Sequence, residues 1–214
     1  MEEQTNIKHI AVAGNIGAGK TTLASKLSVY FGWETYYEDV DHNPYLEDFY
    51  EDMTRWSFNL QIYFLNSRFN QIKNIQKGSK TVIQDRTIYE DAYIFAPNLY
   101  EMELMSERDF ENYITLFRTM SATFGAPDLL IYLRASTDTL LKQISKRGRD
   151  FEANIRKDYL ERLNNYYENW IARYKSGPLL IINVDETNYA DEEEGLNQVI
   201  ELVKLKLTEL NSNK

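Results

Sequence analysis

A ten-residue stretch, GNIGAGKTTL from Gly14 to Leu23, follows directly on the apolar run Ile10-Ala11-Val12-Ala13. It fits the spacing G-x-x-x-x-G-K-[ST], with Gly14, Gly19, Lys20 and Thr21 in the fixed places. Glycines let the backbone curl at the end of a strand, where a Cβ would obstruct it. A helix read over Thr21 to Phe31 then turns its unpaired N–H groups and positive dipole end toward an anion. The loop residues Gly14, Asn15, Ile16, Gly17, Ala18 and Gly19, with Thr22 just inside the helix, are the candidates for a phosphate cradle. Lys20 adds a charge for the terminal phosphates, and the Thr21 hydroxyl is placed to bind Mg²⁺. A chance glycine turn has no need of a strand before it and a helix after it. The motif commits the chain to an α/β fold that holds a nucleoside triphosphate.

Five short apolar runs read as strands: Ile7–Ala13, Glu34–Glu38, Thr81–Gln84, Leu129–Leu133 and Leu179–Val184. Three are nearly all apolar, the signature of strands buried on both faces. Helical patterns separate them, so the expected fold is a doubly wound, five-stranded parallel sheet with helices on both faces. Residues 1–214 read as one domain, with a small basic lid at about 146–153. A formal net charge of -9 argues against a nucleic-acid partner, which wants a basic face. Without cysteine there is neither a disulfide framework nor a thiolate metal site. The start, MEEQTNIKH, is too polar for a signal peptide, and no apolar run reaches ~18 residues. A cytoplasmic protein without membrane contact is the default expectation.

In such sheets ligands gather beyond the carboxyl ends of the strands. The second strand runs into YYEDVDHNPYL, where Glu38 stands beside the expected γ-phosphate, placed to take a proton from an attacking hydroxyl. An acid at a strand end is by itself more often solvated or paired. Asn43-Pro44 reads as a turn into a short helix. The third strand runs into QDRTIYEDAYIFA. Asp85 is positioned like the acid that holds Mg²⁺ beside a phosphate loop, and Arg86 like a cation for the transferred group; the alternative is a structural Asp–Arg pair. A long helix over Met53 to Lys77 puts Gln61, Phe64 and Arg68 on one face. Those polar heads either emerge at the surface or, if buried, need partners. An aromatic pocket with two hydrogen-bonding heads suits a nucleobase, and Asp91 would meet Arg68 if the two helices pack. The segment KRGRDFE, with Lys146, Arg147 and Arg149 before Glu152, is either a solvated turn or a lid whose arginines close on the triphosphate; the phosphate loop favours the lid. The acids Asp191 to Glu194 open the last helix, where negative charge complements the dipole.

Taken together, GNIGAGKTTL, YYEDVDHNPYL, RWSFNLQIYFLNSRF, QDRTIYEDAYIFA and KRGRDFE resemble the deoxynucleoside kinase family from about Ile10 to Trp170. The versions VDHNPYL, RWSFNLQIYFL and QDR-IYED look closest to those of bacterial deoxyadenosine kinases. The resemblance implies that Glu38 is the base for the sugar 5′-hydroxyl, with Arg86 on the same oxygen, and that Tyr50 and Glu152 hold the 3′-hydroxyl. It makes Gln61 the amide facing the base, Arg68 and Asp91 the polar pair that selects purines and cytosine, and Phe95 the stacking aromatic. Lys20, Thr21 and Asp85 match the phosphate and Mg²⁺ contacts, and Arg147 and Arg149 the lid arginines. ATP as donor, a small deoxynucleoside as acceptor and a homodimer follow from the same resemblance. Asp39 stands where many relatives have proline, Asp85 replaces their glutamate, and Phe64 occupies a position that is small in some of them, which should narrow the cavity.

The expectation is therefore an ATP:deoxynucleoside 5′-phosphotransferase that favours deoxyadenosine. A deoxyguanosine or deoxycytidine kinase is the near alternative. A thymidylate kinase-like enzyme shares the phosphate loop and an Asp-Arg motif, but its charged acceptor would be repelled by Glu38, Tyr50 and Glu152. A guanine-dependent switch would want Asn-Lys-x-Asp on a late strand, and the fifth strand ends Asn183-Val184-Asp185 instead.

Overall fold

Ile10 and Val12 point to one face of a sheet and Ala11 and Ala13 to the other, and both faces are covered. This is the period of two that a fully buried strand imposes on its neighbours. The computed structural model describes residues 7–38, 40, 42–149, 152 and 155–212. Its strands are β1 (His9–Gly14), β2 (Glu34–Tyr36), β3 (Val82–Asp85), β4 (Leu129–Arg134) and β5 (Leu179–Asn183), all parallel, in the order β2-β3-β1-β4-β5. The five expected strands are present, with ends displaced by a residue or two. The second shows why. It is an edge strand paired only with β3, from Glu34 opposite Val82 to Tyr36 opposite Gln84, and the ladder stops there. Glu38 thus lies beyond the strand, on the following loop.

The helices are α1 (Lys20–Phe31), α2 (Leu46–Glu51), α3 (Met53–Lys77), α4 (Ile88–Glu90), α5 (Ala96–Glu101), α6 (Glu107–Ser121), α7 (Thr137–Arg147), α8 (Lys157–Ala172) and α9 (Glu193–Ser212). Leu23 and Leu27 of α1, Leu140 and Ile144 of α7 and Val199 and Val203 of α9 cover the Ile10 face. Leu163, Tyr167 and Ile171 of α8 cover the other. The small side chains of Ala11 and Ala13 leave room there for Tyr132 and Tyr167, whose rings stack at 5.8 Å. A third layer, α3 against α6, packs Leu65, Ile72, Tyr113 and Phe117. Each fully buried aliphatic or aromatic side chain of this kind contributes roughly 1.5–3 kcal/mol relative to exposure.

Local chemistry sets the helix ends. Asp52 accepts from the Arg55 N–H at 2.9 Å and starts α3, which runs to Lys77 as the sequence predicts. Ser136 accepts from the Thr139 N–H and starts α7. Asn43 Oδ1 accepts from the Tyr45 N–H at 3.0 Å, forming the turn into α2. Between α4 and α5 lies an unexpected π-helical turn, Asp91–Phe95, closed by a bond from the Ala96 N–H to the Asp91 carbonyl. Among the described residues no helix is long and apolar enough to cross a membrane. The expectations for Asp39, and for Asp150 and Phe151 of the basic segment, lie outside the described residues.

Candidate active site

The loop after β1 has its shape because two positions refuse a side chain. Gly17 has φ +85°, and a Cβ there would come within 2.8 Å of the Leu140 carbonyl and the Ile144 side chain. Gly19 has φ +87°, and its Cβ would meet the Tyr189 hydroxyl at 2.5 Å. The loop is therefore clamped between α7 and Tyr189, whose hydroxyl donates to the Ala18 carbonyl at 2.8 Å. Lys20, the first residue of α1, is buried and donates to the carbonyls of Gly14 at 2.8 Å and Asn15 at 2.9 Å. Burial, reinforced by Arg86, lowers its pKa to about 8 against the pull of Asp85, Glu90 and Glu38. A phosphate in the loop would compete with those two carbonyls for the ammonium. Ile16, Gly17, Gly19, Lys20, Thr21 and Thr22 line the cleft beside the loop. Gly14, Asn15 and Ala18 do not: their polar groups are turned toward protein partners.

Thr21 Oγ1 donates to Asp85 Oδ2 at 2.5 Å, while Asp85 Oδ1 is buried with no protein partner. Burial raises the Asp85 carboxyl above its usual range. A hydroxyl and a carboxylate with a spare oxygen form the hard-oxygen set that Mg²⁺ takes, and this ion keeps most of its waters rather than needing a full protein cage. Among the described residues no group of three His, Cys, Asp or Glu gathers as a metal site. The donor set fits Mg²⁺ shared with phosphates.

The cleft beyond, about 760 Å³, runs from the loop to the π-helical turn. Glu38 sits in its wall. Its Oε1 faces Arg68 Nη2 at 2.5 Å and Arg86 Nε at 3.0 Å. Burial pushes this carboxyl up, but Arg86, Arg68 and Lys20 outweigh it and hold the pKa down to about 2. Glu38 is therefore an ionised acceptor throughout the neutral range. Arg86 reaches it from a strained backbone, φ +71°, a conformation rare outside glycine. Its N–H bonds to the Val12 carbonyl at 2.9 Å and its guanidinium lies 4.7 Å from the Phe95 ring centre.

At the far end the long helix turns Gln61, Phe64 and Arg68 inward, each under one-tenth exposed, which rules out the surface alternative. Gln61 and Phe64 line the cleft, as do Asp91 and Phe95 from the π-helical turn. Gln61 Oε1 is buried with no protein partner. Arg68 does not line the cleft. It lies behind the wall with Nη1 2.8 Å from Asp91 Oδ2, so the expected pair meets, and it bridges to Glu38 as well. Asp91 is 1 % exposed, and burial pushes its pKa up to about 7; Arg68 and Arg86 pull it down, and Glu38 and Glu90 push it further up.

From the basic segment, Arg147 and Arg149 line the cleft with Tyr50 and Glu152. Arg147 donates twice to Glu152 Oε2, from Nε at 3.0 Å and from Nη2, and Arg149 Nη1 is 3.6 Å from Oε1. The arginines expected to form a lid are thus anchored on the very carboxylate that the resemblance assigns to the sugar. Burial, with Tyr159, Glu152 and Glu38 nearby, keeps Tyr50 a protonated phenol far above neutral pH.

Sequence reasoning missed Glu90 and Tyr167. Glu90 is fully buried and closes a capping box with Thr87, accepting the Thr87 N–H at 2.7 Å and the Gly14 N–H at 3.1 Å. The Thr-x-x-Glu spacing was a visible signal for the cap. Nothing in the sequence pointed to its reach across to the phosphate loop, or to Tyr167 meeting both.

Known proteins resemble this chain in sequence and fold. The sequence profile of the deoxynucleoside kinase family matches residues 10–208. The chain is 40% identical over 196 residues to a deoxyadenosine/deoxycytidine kinase of Bacillus subtilis (strain 168), covering 91% of this chain and 90% of that one. It is 38% identical over 208 residues to a deoxyguanosine kinase of Lactobacillus acidophilus, covering 91% and 90%. Its fold is similar to the solved structure of a deoxyadenosine kinase from M. mycoides with bound dCTP, with a TM-score of 0.78, 32% identity and coverage of 91% and 98%.

Proposed function

The chain belongs to the deoxynucleoside kinase family, and on that footing we propose that it transfers the γ-phosphoryl group of ATP to the 5′-hydroxyl of a deoxynucleoside, with deoxyadenosine the preferred acceptor. The 5′-oxygen bonds to the γ-phosphorus as the bond from that phosphorus to the bridging oxygen breaks, releasing ADP. The hydroxyl proton goes to Glu38. Lys20 and Arg86 meet charge on the transferred group, and Arg147 and Arg149 close over the phosphates. In a loose transition state little covalent work falls to the protein, so positioning and field carry most of the acceleration. Mg²⁺ held through Thr21 and Asp85 would supply charge neutralisation on the phosphates. Tyr50 and Glu152 orient the 3′-hydroxyl, and Phe95 stacks on the base.

The observation that carries the reaction is the ionised Glu38, held by two arginines in the same cleft that Lys20 lines from the loop. The base preference rests on Gln61. An amide offers one acceptor and one donor, the complement of the amino group and ring nitrogen of adenine, whereas guanine presents two acceptors on its corresponding edge. Its unpartnered oxygen supports an amino-bearing base. Cytosine shares that pattern but fills less of the pocket beside Phe64.

The test is a turnover panel with MgATP, the four deoxynucleosides and their 5′-monophosphates. The expected kcat/KM is highest for deoxyadenosine, then deoxycytidine, with the monophosphates inert. Deoxyguanosine in first place would overturn the base assignment; phosphorylation of thymidine monophosphate alone would overturn the reaction. A homodimer is part of the same proposal, and sedimentation at twice the chain mass of 25.2 kDa is the expected result.

A further inference from the structure

One buried hydroxyl has no part in the reaction as proposed. Tyr167 Oη, on α8, is fully enclosed and meets the Gly14 carbonyl at 2.9 Å, Glu90 Oε1 at 2.7 Å and Arg86 Nη1 at 3.1 Å. Arg86 donates to it. The phenol's single proton then has two acceptors, Gly14 and Glu90, and can serve one of them. The Gly14 carbonyl already receives Lys20 Nζ at 2.8 Å. Glu90 Oε1 receives the Gly14 N–H at 3.1 Å and stands 3.6 Å from Arg86 Nη1, too far for a hydrogen bond. The hydroxyl thus sits between the lysine of the phosphate loop and the arginine that faces Glu38.

We propose that Tyr167 is a positioning residue that couples the two substrate sites: its hydroxyl donates to Glu90 while Lys20 covers the Gly14 carbonyl, and turns to Gly14 when a nucleoside triphosphate draws Lys20 away. This rests on the phosphotransfer proposed above. In the second arrangement Gly14 keeps a donor, as a buried carbonyl requires. Glu90 Oε1 loses one and draws in Arg86 Nη1, closing the 3.6 Å gap. Arg86 Nε lies 3.0 Å from Glu38 Oε1, so the shift reaches the place where the acceptor hydroxyl must sit. The helix itself need not move. Asn15 Nδ2 donates to the Leu160 carbonyl at 3.0 Å and to Asn164 Oδ1 at 2.7 Å, pinning α8 to the loop independently of Tyr167. Arg86 drawn toward Glu90 frees Glu38 Oε1 for the acceptor hydroxyl, so donor binding tightens acceptor binding, and by linkage the reverse holds by the same factor.

The experiment is calorimetric titration of deoxyadenosine into wild type and Tyr167→Phe, each with and without the magnesium complex of β,γ-methylene-ATP. In wild type the analogue should tighten nucleoside binding by about fivefold or more. In Tyr167→Phe that factor should fall below about twofold while deoxyadenosine alone binds nearly as before, a pattern that mere loss of packing does not produce. A thermal melt accompanies each titration. Should Tyr167→Phe fail to fold, Glu90→Gln, which keeps the shape and loses the charge that draws Arg86, should weaken the coupling in the same way. An undiminished factor in the folded variant, or no coupling in wild type, overturns the role of Tyr167 alone. Deoxyadenosine binding to neither protein overturns the acceptor assignment on which the coupling rests.

Discussion

The two ends of the cleft are built by different means. The phosphate end is built around one continuous segment, Gly14 to Thr22, whose shape comes from backbone and from side chains that are missing. The nucleoside end takes single side chains from the loop after β2, α2, α3, the turn after β3, the π-helical turn and the basic segment, and packs the half-buried Glu38 against the buried Arg68, Arg86, Glu90 and Asp91. Backbone donors are fixed by the fold and tolerate little variation in sequence. A web of buried charge is adjustable residue by residue, because each member sets the ionisation and orientation of the next. The family comparison fits that division: relatives named for adenine, cytosine and guanine nucleosides all align with this chain.

If the division holds, the largest effect should come from Glu38, the group proposed to take the proton of the attacking hydroxyl. Glu38→Gln should lower kcat by roughly 10²–10⁴-fold, as loss of a general base does, while deoxyadenosine and ATP still bind. Steady-state kinetics beside calorimetry would measure both; near-wild-type kcat would remove Glu38 from the chemistry. Next in size is Arg68→Gln, which leaves Asp91 and Glu38 buried with one cation fewer. Breaking a buried pair from one side costs about 3–5 kcal/mol. Adding Asp91→Asn should return part of that loss in urea unfolding at pH 8, above the Asp91 pKa of about 7, since the carboxylate left without its arginine goes with it. Strictly additive losses would mean that Arg68 serves Glu38 alone. At the phosphate end, Gly19→Ala should cost roughly 2–4 kcal/mol, from left-handed backbone strain and the displaced Tyr189 hydroxyl. It should raise KM for ATP and, at saturating ATP, leave KM for the nucleoside unchanged; an equal rise in both would break the separation between the ends.

Legibility in the sequence follows the same line. The phosphate loop, the parallel sheet and the helix at 53–77 were readable because each is local: a fixed spacing, an apolar run, a period of 3.6. That Glu38, Gln61, Arg86 and Asp91 gather along one cleft was readable through motif and helical face, and the Arg68–Asp91 contact through packing of the helices that carry them. Three things were not. Arg68 sits behind the wall and bridges two carboxylates, which depends on where the loop after β2 delivers Glu38. The π-helical turn has no period of its own in five residues. Tyr167 lies in an ordinary amphipathic helix, and only the small Ala11 and Ala13 on a distant strand make room for its hydroxyl to reach Gly14.

The smallest predicted effect sharpens the electrostatic side of the comparison. Asp91 is held near 7 in the fold, against about 3.9 in an unfolded chain. Between those values the folded state binds the proton and the unfolded state has released it, so stability must fall as pH rises. The contribution of Asp91 is fully present below about pH 4 and lost as pH climbs through about 7. Glu38 is silent in that range: its pKa is lowered to about 2, so its contribution is complete above the unfolded value and fades only in acid. Asp91→Asn cannot titrate. Measured by urea unfolding from pH 5 to 8, the variant should gain on wild type by about 2 kcal/mol as pH rises, less than the full linkage because Arg68 can shift toward the ionised carboxylate. A difference that stays constant across the series would mean that Arg68 already holds Asp91 charged, and that the nucleoside end is a settled ion pair with no titration near neutrality.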